Sequence, residues 1–218
     1  MRQIVIMPGG FHPFHAGHAA LYQAAKKAFP KADVYVAASD SMAGAKEKAG
    51  RTFPFNIKEK LARVAGVPAG HFVQEKQPFQ PKSITNKYDP NSDVLIFVRS
   101  EKDRDESPKA GGTKKDGTPS YFQPYTGKNL QPFGKHAYMT YLPTVEFGPG
   151  ITSATEIRNK WPTLTDRQKL AMVMSLYPAT QKNIKLANNV KELIDMGMSY
   201  SPSISENIDY SADYLPEK

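Results

Sequence analysis

Cysteine is absent from all 218 residues. That excludes disulfides, a thiolate zinc site and a cysteine nucleophile, and it fits a reducing compartment. Long apolar runs are absent too. The longest, such as Val94 to Val98, have five residues, far short of the roughly 20 a membrane span needs. The apolar stretch Ile4 to Met7 is too short for a secretory leader. A soluble, cytoplasmic chain with no membrane partner is therefore expected. Acidic residues are outnumbered, 21 against 29 basic, which leaves a formal charge of +8. Such a balance favours an anionic partner: a nucleotide, a nucleic acid or an acidic surface. Solubility alone would also account for it, because the basic residues are scattered and no run of five occurs. Apolar residues make up 39% of the chain, beside 18 prolines and 15 glycines. This composition argues against a fully disordered or collagen-like chain. The length is sufficient to bury a core without a metal or a disulfide.

What is present reads as alternating strands and helices. Ile4 to Met7 is an apolar run ending at Pro8-Gly9-Gly10, a buried strand leaving into a tight loop. Residues 16 to 29 follow with a helical stripe of Leu21, Ala24, Ala25 and Ala28. Val34 to Ala38 is a second strand. A helix-length crossover between two strands calls for parallel pairing. A polar loop, 39 to 52, leads to a helix over 55 to 64. Strands are expected at 71 to 74 and 93 to 98. The stretch 138 to 147 is interrupted by Pro143 and reads as an edge or broken strand. The expected fold class is α/β: a Rossmann-like parallel sheet with flanking helices and a helical C-terminal region.

Residues 101 to 135 lack a clear period. They hold five Gly, four Pro, seven basic and five acidic residues, and such a loop is a lid or a flexible insertion. Helices are expected over 153 to 161, 166 to 176 and 180 to 196. In the last, Ile184, Ala187, Val190, Leu193 and Ile194 form a stripe to pack on the sheet. The expected organisation is a domain over 1 to 160 carrying the insertion, C-terminal helices over 161 to 198, and a mobile or partner-dependent tail over 199 to 218.

Three of the five histidines, His12, His15 and His18, lie within seven residues, in the turn between the first strand and the first helix. In a parallel α/β sheet this turn sits at a carboxyl strand end, where ligands bind. Gly9 and Gly10 let the backbone approach a ligand. The following helix start offers N–H groups and a positive dipole end to phosphate. His15 and His18, three apart, can share one face, with Gly17 between them. Such a pair can stabilise charge developing in a transition state. A metal site and incidental capping histidines are the alternatives; no carboxylate ligand lies in the segment.

The second dense segment is Gly148-Pro149-Gly150-Ile151-Thr152-Ser153-Ala154-Thr155-Glu156-Ile157-Arg158. Ser153 followed by Glu156 reads as a capping box opening a helix. Two hydroxyls and an arginine one turn in also form a phosphate cradle, because a guanidinium can fork onto phosphate oxygens. Weaker candidates are Arg51 in the polar loop and Lys102 after the central strand, each as readily a solvated surface residue. Trp161, the single tryptophan, is read as packing rather than base-stacking.

Gly9-x-Phe11-x-Pro13-x-His15-x-Gly17-His18 resembles the first signature of the nucleotidylyltransferase superfamily, the adenylyl- and cytidylyltransferases with a His-x-Gly-His motif. It looks most like the nicotinamide-mononucleotide adenylyltransferase branch, where Asp or Gln more often stands at the place of His12. Ile151 to Arg158 is similar to the second signature, Ile-Ser-x-Thr-x-Ile/Val-Arg, with one extra residue after Ile151. The two stand in the family's order, about 140 residues apart, and the resemblance covers roughly residues 2 to 160. It implies transfer of a nucleoside monophosphate, with AMP from ATP favoured over a cytidylyl group, onto a phosphorylated small molecule with release of pyrophosphate. It implies catalytic roles for His15, His18 and Arg158. It implies nucleotide binding by Gly9, Gly10, Phe11, Gly17, Ser153 and Thr155, and weaker acceptor contacts from Arg51 and Lys102. Mg²⁺ is expected to accompany ATP, with no dedicated protein metal site. The expected partners are a nucleoside triphosphate and a phosphorylated acceptor; nucleic acid is less favoured, and self-association is left open. An inactive nucleotide- or nucleic-acid-binding structural protein is the reading from outside enzymology.

Overall fold

The computed structural model describes residues 1–39, 53–143 and 153–200. Six strands form one sheet: β1 (Gln3–Gly9), β2 (Asp33–Ser39), β3 (Phe72–Glu75), β4 (Val94–Ser100), β5 (Phe122–Pro124) and β6 (Ala137–Leu142), in the order β3-β2-β1-β4-β6-β5. β1 pairs in parallel with β2 and β4, and β6 with β4 and β5. Helices α1 (Ala16–Ala28), α2 (Phe55–Val64) and α3 (Lys82–Thr85) alternate with the first four strands, and α4 (Ala154–Lys160), α5 (Asp166–Leu176) and α6 (Ile184–Ser199) follow β6. This is the Rossmann-like α/β class the sequence implies. No helix among the described residues is long and apolar enough to cross a membrane.

Contacts group the chain into two units, each assembled from separated segments. The first comprises Met1–Gly9, Leu21–Ala38 and Val73–Thr144. Its core covers one sheet face: Ile4, Ile6, Ala37, Leu95, Phe97, Ala137 and Met139, with Ile84 of α3 upon them. Every residue of β4 is buried, as expected of a central parallel strand covered on both faces. That is why this strand reads as a continuous apolar run rather than an alternation. Each apolar side chain from Val94 to Val98 contributes about 1.5–3 kcal/mol on burial.

Three features of this unit differ from the sequence reading. The 101–135 stretch, expected to lack regular structure, contributes β5 to the sheet and lays Phe122 and Phe133 over the core. Phe122 meets Phe97 at 5.5 Å between ring centroids. β6 is consequently an interior strand and not an edge; Pro143 falls just beyond its last residue, Leu142, where no ladder bond is lost. On α1 the buried residues are Tyr22 and Ala25, followed by Phe29, while Ala28 is exposed. Aromatic bulk at spacings of three and four outweighs the alanine pattern that guided the reading.

The second unit comprises Gly10–Ala20, Ser39–Phe72 and Val145–Lys218. α6 packs on α5 and α2. Ala187, Val190, Leu193 and Ile194 are buried, but Ile184 is 59% exposed. The chain enters α6 through a tight turn at Pro178–Thr180, so the helix begins at Ile184 rather than at 180. Gly197 allows close approach here: a Cβ at that position would lie 2.2 Å from the Phe53 ring. Asp195 of α6 accepts from Trp161 Nε1 at 2.8 Å and from Lys169 Nζ at 2.7 Å. Trp161 is therefore a buried packing residue with its polar atom satisfied. The expected tail lies, from residue 201, outside the described residues.

Candidate active site

β1 delivers the chain into the histidine loop. The strand order reverses between β1 and β4, the place where open α/β sheets take ligands at their carboxyl ends. Within the loop the backbone is tightly specified. A Cβ at Gly10 would come within 3.2 Å of His12 Cδ2, so this glycine accommodates the next histidine's own ring. Phe11 takes φ 55°, the left-handed region. Its ring packs against Phe14 at 5.4 Å, Phe72 at 5.9 Å and edge-on to His18 at 4.9 Å. Phe11, as placed, builds the wall behind the imidazoles.

His15 and His18 stack, with ring centroids 3.8 Å apart and planes inclined by 26°. Gly17 N donates to His15 Nδ1 at 3.1 Å, and His15 N donates to His18 Nδ1 at 3.3 Å. Each ring thus uses Nδ1 as an acceptor, which puts the proton of a neutral imidazole on Nε2. The stacked pair therefore carries two Nε2–H donors. The amides of His15 and Gly17, at the start of α1, are thus taken by imidazoles. His15 is buried, and His18 is half-buried.

The second motif reaches this loop. Arg158 Nη1 donates to the backbone carbonyl of His12 at 2.6 Å, across 146 residues of sequence. Arg158 Nη2 donates to Thr155 Oγ1 at 3.1 Å, and Glu156 N donates to Ser153 Oγ at 3.2 Å. Ser153 is the N-cap of α4, as its sequence position implies. Arg158 and Thr155 therefore stand beside the histidine loop, one turn from Ser153. Gly148 to Thr152 lie outside the described residues, as does Arg51.

No protein-family model matches the chain, and no curated protein matches it. Among solved structures it is similar to one described as "a Putative Nicotinate-nucleotide Adenylyltransferase" from Vibrio parahaemolyticus. The TM-score is 0.42 and the identity 12%, over 86% of this chain and 94% of that one.

The remaining candidates lie in the other unit. Gly9 ends β1. Lys102 is exposed in a short turn, Glu101–Asp103, after β4. Sequence reasoning missed Tyr177 altogether. It is fully buried, and its hydroxyl donates to the carbonyl of Phe14, the residue before His15. Burial pushes its phenol pKa up, so it remains a donor at any working pH. A partner 163 residues away leaves no local signal. The other missed feature is the His12 backbone carbonyl: side-chain patterns do not reveal which carbonyl an arginine will find.

Proposed function

We propose that the chain is a nucleotidylyltransferase. It moves a nucleoside monophosphate, AMP from ATP, onto a phosphorylated small molecule such as nicotinamide mononucleotide, and releases pyrophosphate. The observation that carries this reading is the bond from Arg158 to the His12 carbonyl. It draws together two motifs that each resemble half of a triphosphate site.

The acceptor phosphate is an anion at neutral pH, so the reaction asks little of a general base. One of its oxygens bonds to the α-phosphorus while the bond from that phosphorus to the β-bridging oxygen breaks, and the electron pair leaves with pyrophosphate. Catalysis then consists of aligning anions and stabilising charge on the phosphoryl oxygens. His15 and His18 supply Nε2–H donors to the α-phosphate. Arg158, oriented by its contacts to His12 and Thr155, supplies a fork for the leaving pyrophosphate. The Ser153 hydroxyl accepts from Glu156 N, which leaves its own hydrogen to donate to a phosphate oxygen. Phe11 and Gly17 shape the pocket around these donors. Imidazole N–H, hydroxyl and guanidinium groups recognise phosphate rather than a hard cation. Magnesium would accordingly be held by triphosphate oxygens and water, where it offsets the triphosphate charge.

The test is incubation with Mg²⁺, ATP or CTP, and a panel of phosphate acceptors, with pyrophosphate detection and product mass. Adenylyl transfer supports the full reading. Cytidylyl transfer onto an alcohol or sugar phosphate would keep the chemistry and change the substrates. Salt-sensitive nucleic-acid binding without pyrophosphate release would overturn it in favour of a structural role.

A further inference from the structure

A second candidate site is formed wholly by residues of the first unit. β5 ends at Pro124, whereas its neighbour β6 runs on to Leu142. The step where β6 outruns its partner opens a cavity of about 320 Å³ at the carboxyl ends of both strands. Two half-buried aromatic rings, Tyr125 and Tyr141, line it, together with the Thr140 side chain. Buried Met139 forms part of its lining. The other side is cationic: Arg104 and Lys109 line the cavity, and among the described residues no carboxylate does.

The cationic wall is held in place. Arg99, only 7% exposed, donates through Nη1 to the carbonyls of Glu106 at 2.9 Å and Pro108 at 3.3 Å, and through Nη2 to Glu106 Oε2 at 3.2 Å. A buried guanidinium thereby fixes the segment between Arg104 and Lys109. The rings are held as well. Tyr125 N donates to Met139 O at 2.9 Å, and its ring meets Phe29 edge-on at 5.3 Å. The Arg104 guanidinium lies 4.5 Å over the Tyr141 ring, which gives a cation beside a flat surface. Arg104 pairs with Glu101 at 2.6 Å and Lys109 with Asp105 at 3.6 Å. These are exposed pairs, screened by solvent, so an incoming anion can displace the carboxylates at little cost.

We propose that this cavity binds a small ring-bearing monophosphate, its ring against Tyr125 and Tyr141 and its phosphate between Arg104 and Lys109. The volume suits one such molecule. The inference goes beyond the transferase reading and rests on different residues.

Calorimetric titration tests it with three probes: AMP, adenosine and inorganic phosphate. They are titrated into the wild-type protein, into the Arg104→Gln/Lys109→Gln double variant and into Arg158→Ala. AMP is expected to bind the wild type, with adenosine and phosphate each about tenfold weaker or more. The double variant should weaken AMP by at least about tenfold, since each lost charged hydrogen bond is worth that much. Arg158→Ala should retain a site of wild-type affinity. The proposal fails if AMP does not bind at millimolar concentration, or if phosphate binds as tightly as AMP. It also fails if the only AMP site disappears with Arg158 and ignores the double variant. Circular dichroism checks that the double variant, altered at two exposed side chains, is folded. The titration needs no turnover, so its failure leaves the transferase reading standing, and the converse holds.

Discussion

At the scale of single residues, donors and acceptors decide most outcomes. His18 presents Nε2 because its Nδ1 is taken by the His15 amide. His18→Ala removes that donor and should lower turnover about 10²-fold or more, the usual cost of one transition-state hydrogen bond, while the thermal midpoint stays near wild type. Equal pyrophosphate release by the two proteins would exclude the assigned role. Asp93 shows the same logic applied to stability. Burial alone would raise its pKa, but hydrogen bonds from the Arg2 backbone and guanidinium and from Asp89 N hold it at about 2. A depressed carboxylate stabilises the fold fully above its unfolded-chain value of about 4 and loses that contribution as pH falls through about 2. Asp93→Asn should therefore destabilise the protein most above pH 4, with the gap to wild type closing toward pH 2. Urea midpoints measured across that range would reveal a constant gap if Asp93 were not the group responsible.

At the scale of elements, the C-terminal helices hold the parts of the histidine loop in place. α6 reaches Phe53 only because residue 197 has no side chain, and the Phe53 ring lies 6.3 Å from that of His12. Gly197→Ala inserts a carbon where none fits and should cost about 1–3 kcal/mol, read as a lowered denaturant midpoint at unchanged slope. Tyr177→Phe keeps the packed ring but leaves the Phe14 carbonyl without its buried donor. It should cost about 1–3 kcal/mol and slow transfer as well, because His15 follows directly. Full activity in a destabilised variant would make this bond purely structural. Helix extents were largely legible from sequence: α2 and α5 match their expected spans, since apolar spacing of three and four is a local property. Their packing was not. The α6 stripe meets α2 and α5, and no periodicity states which surface a stripe will meet.

At the scale of the whole molecule, the formal charge of +8 sets the long-range field seen by an anionic substrate. The KM for ATP should rise with ionic strength between about 0.05 and 0.3 M as the screening length shortens, with kcat changing less. A KM insensitive to salt would confine recognition to the short-range contacts of the loop. The sheet order illustrates a further limit on sequence reading at this scale. β1, β2 and β4 announce themselves as apolar runs because strands buried on both faces must be apolar throughout. β5 has three residues, Phe122 to Pro124, too few to show a period. Its membership of the sheet depends on the partner strand it meets.

The amino-acid order by itself determined the alternation of strands and helices, the caps at Ser153 and the crowding of imidazoles after β1, because each depends on residues within a turn or two of one another. Only the tertiary structure decided that Arg158 would find the His12 carbonyl, that Tyr177 would hold Phe14, and that an irregular insertion would finish the sheet. Those contacts join residues too far apart along the chain for any local preference to encode, and they form only when burial of each unit's own core brings its separated segments together.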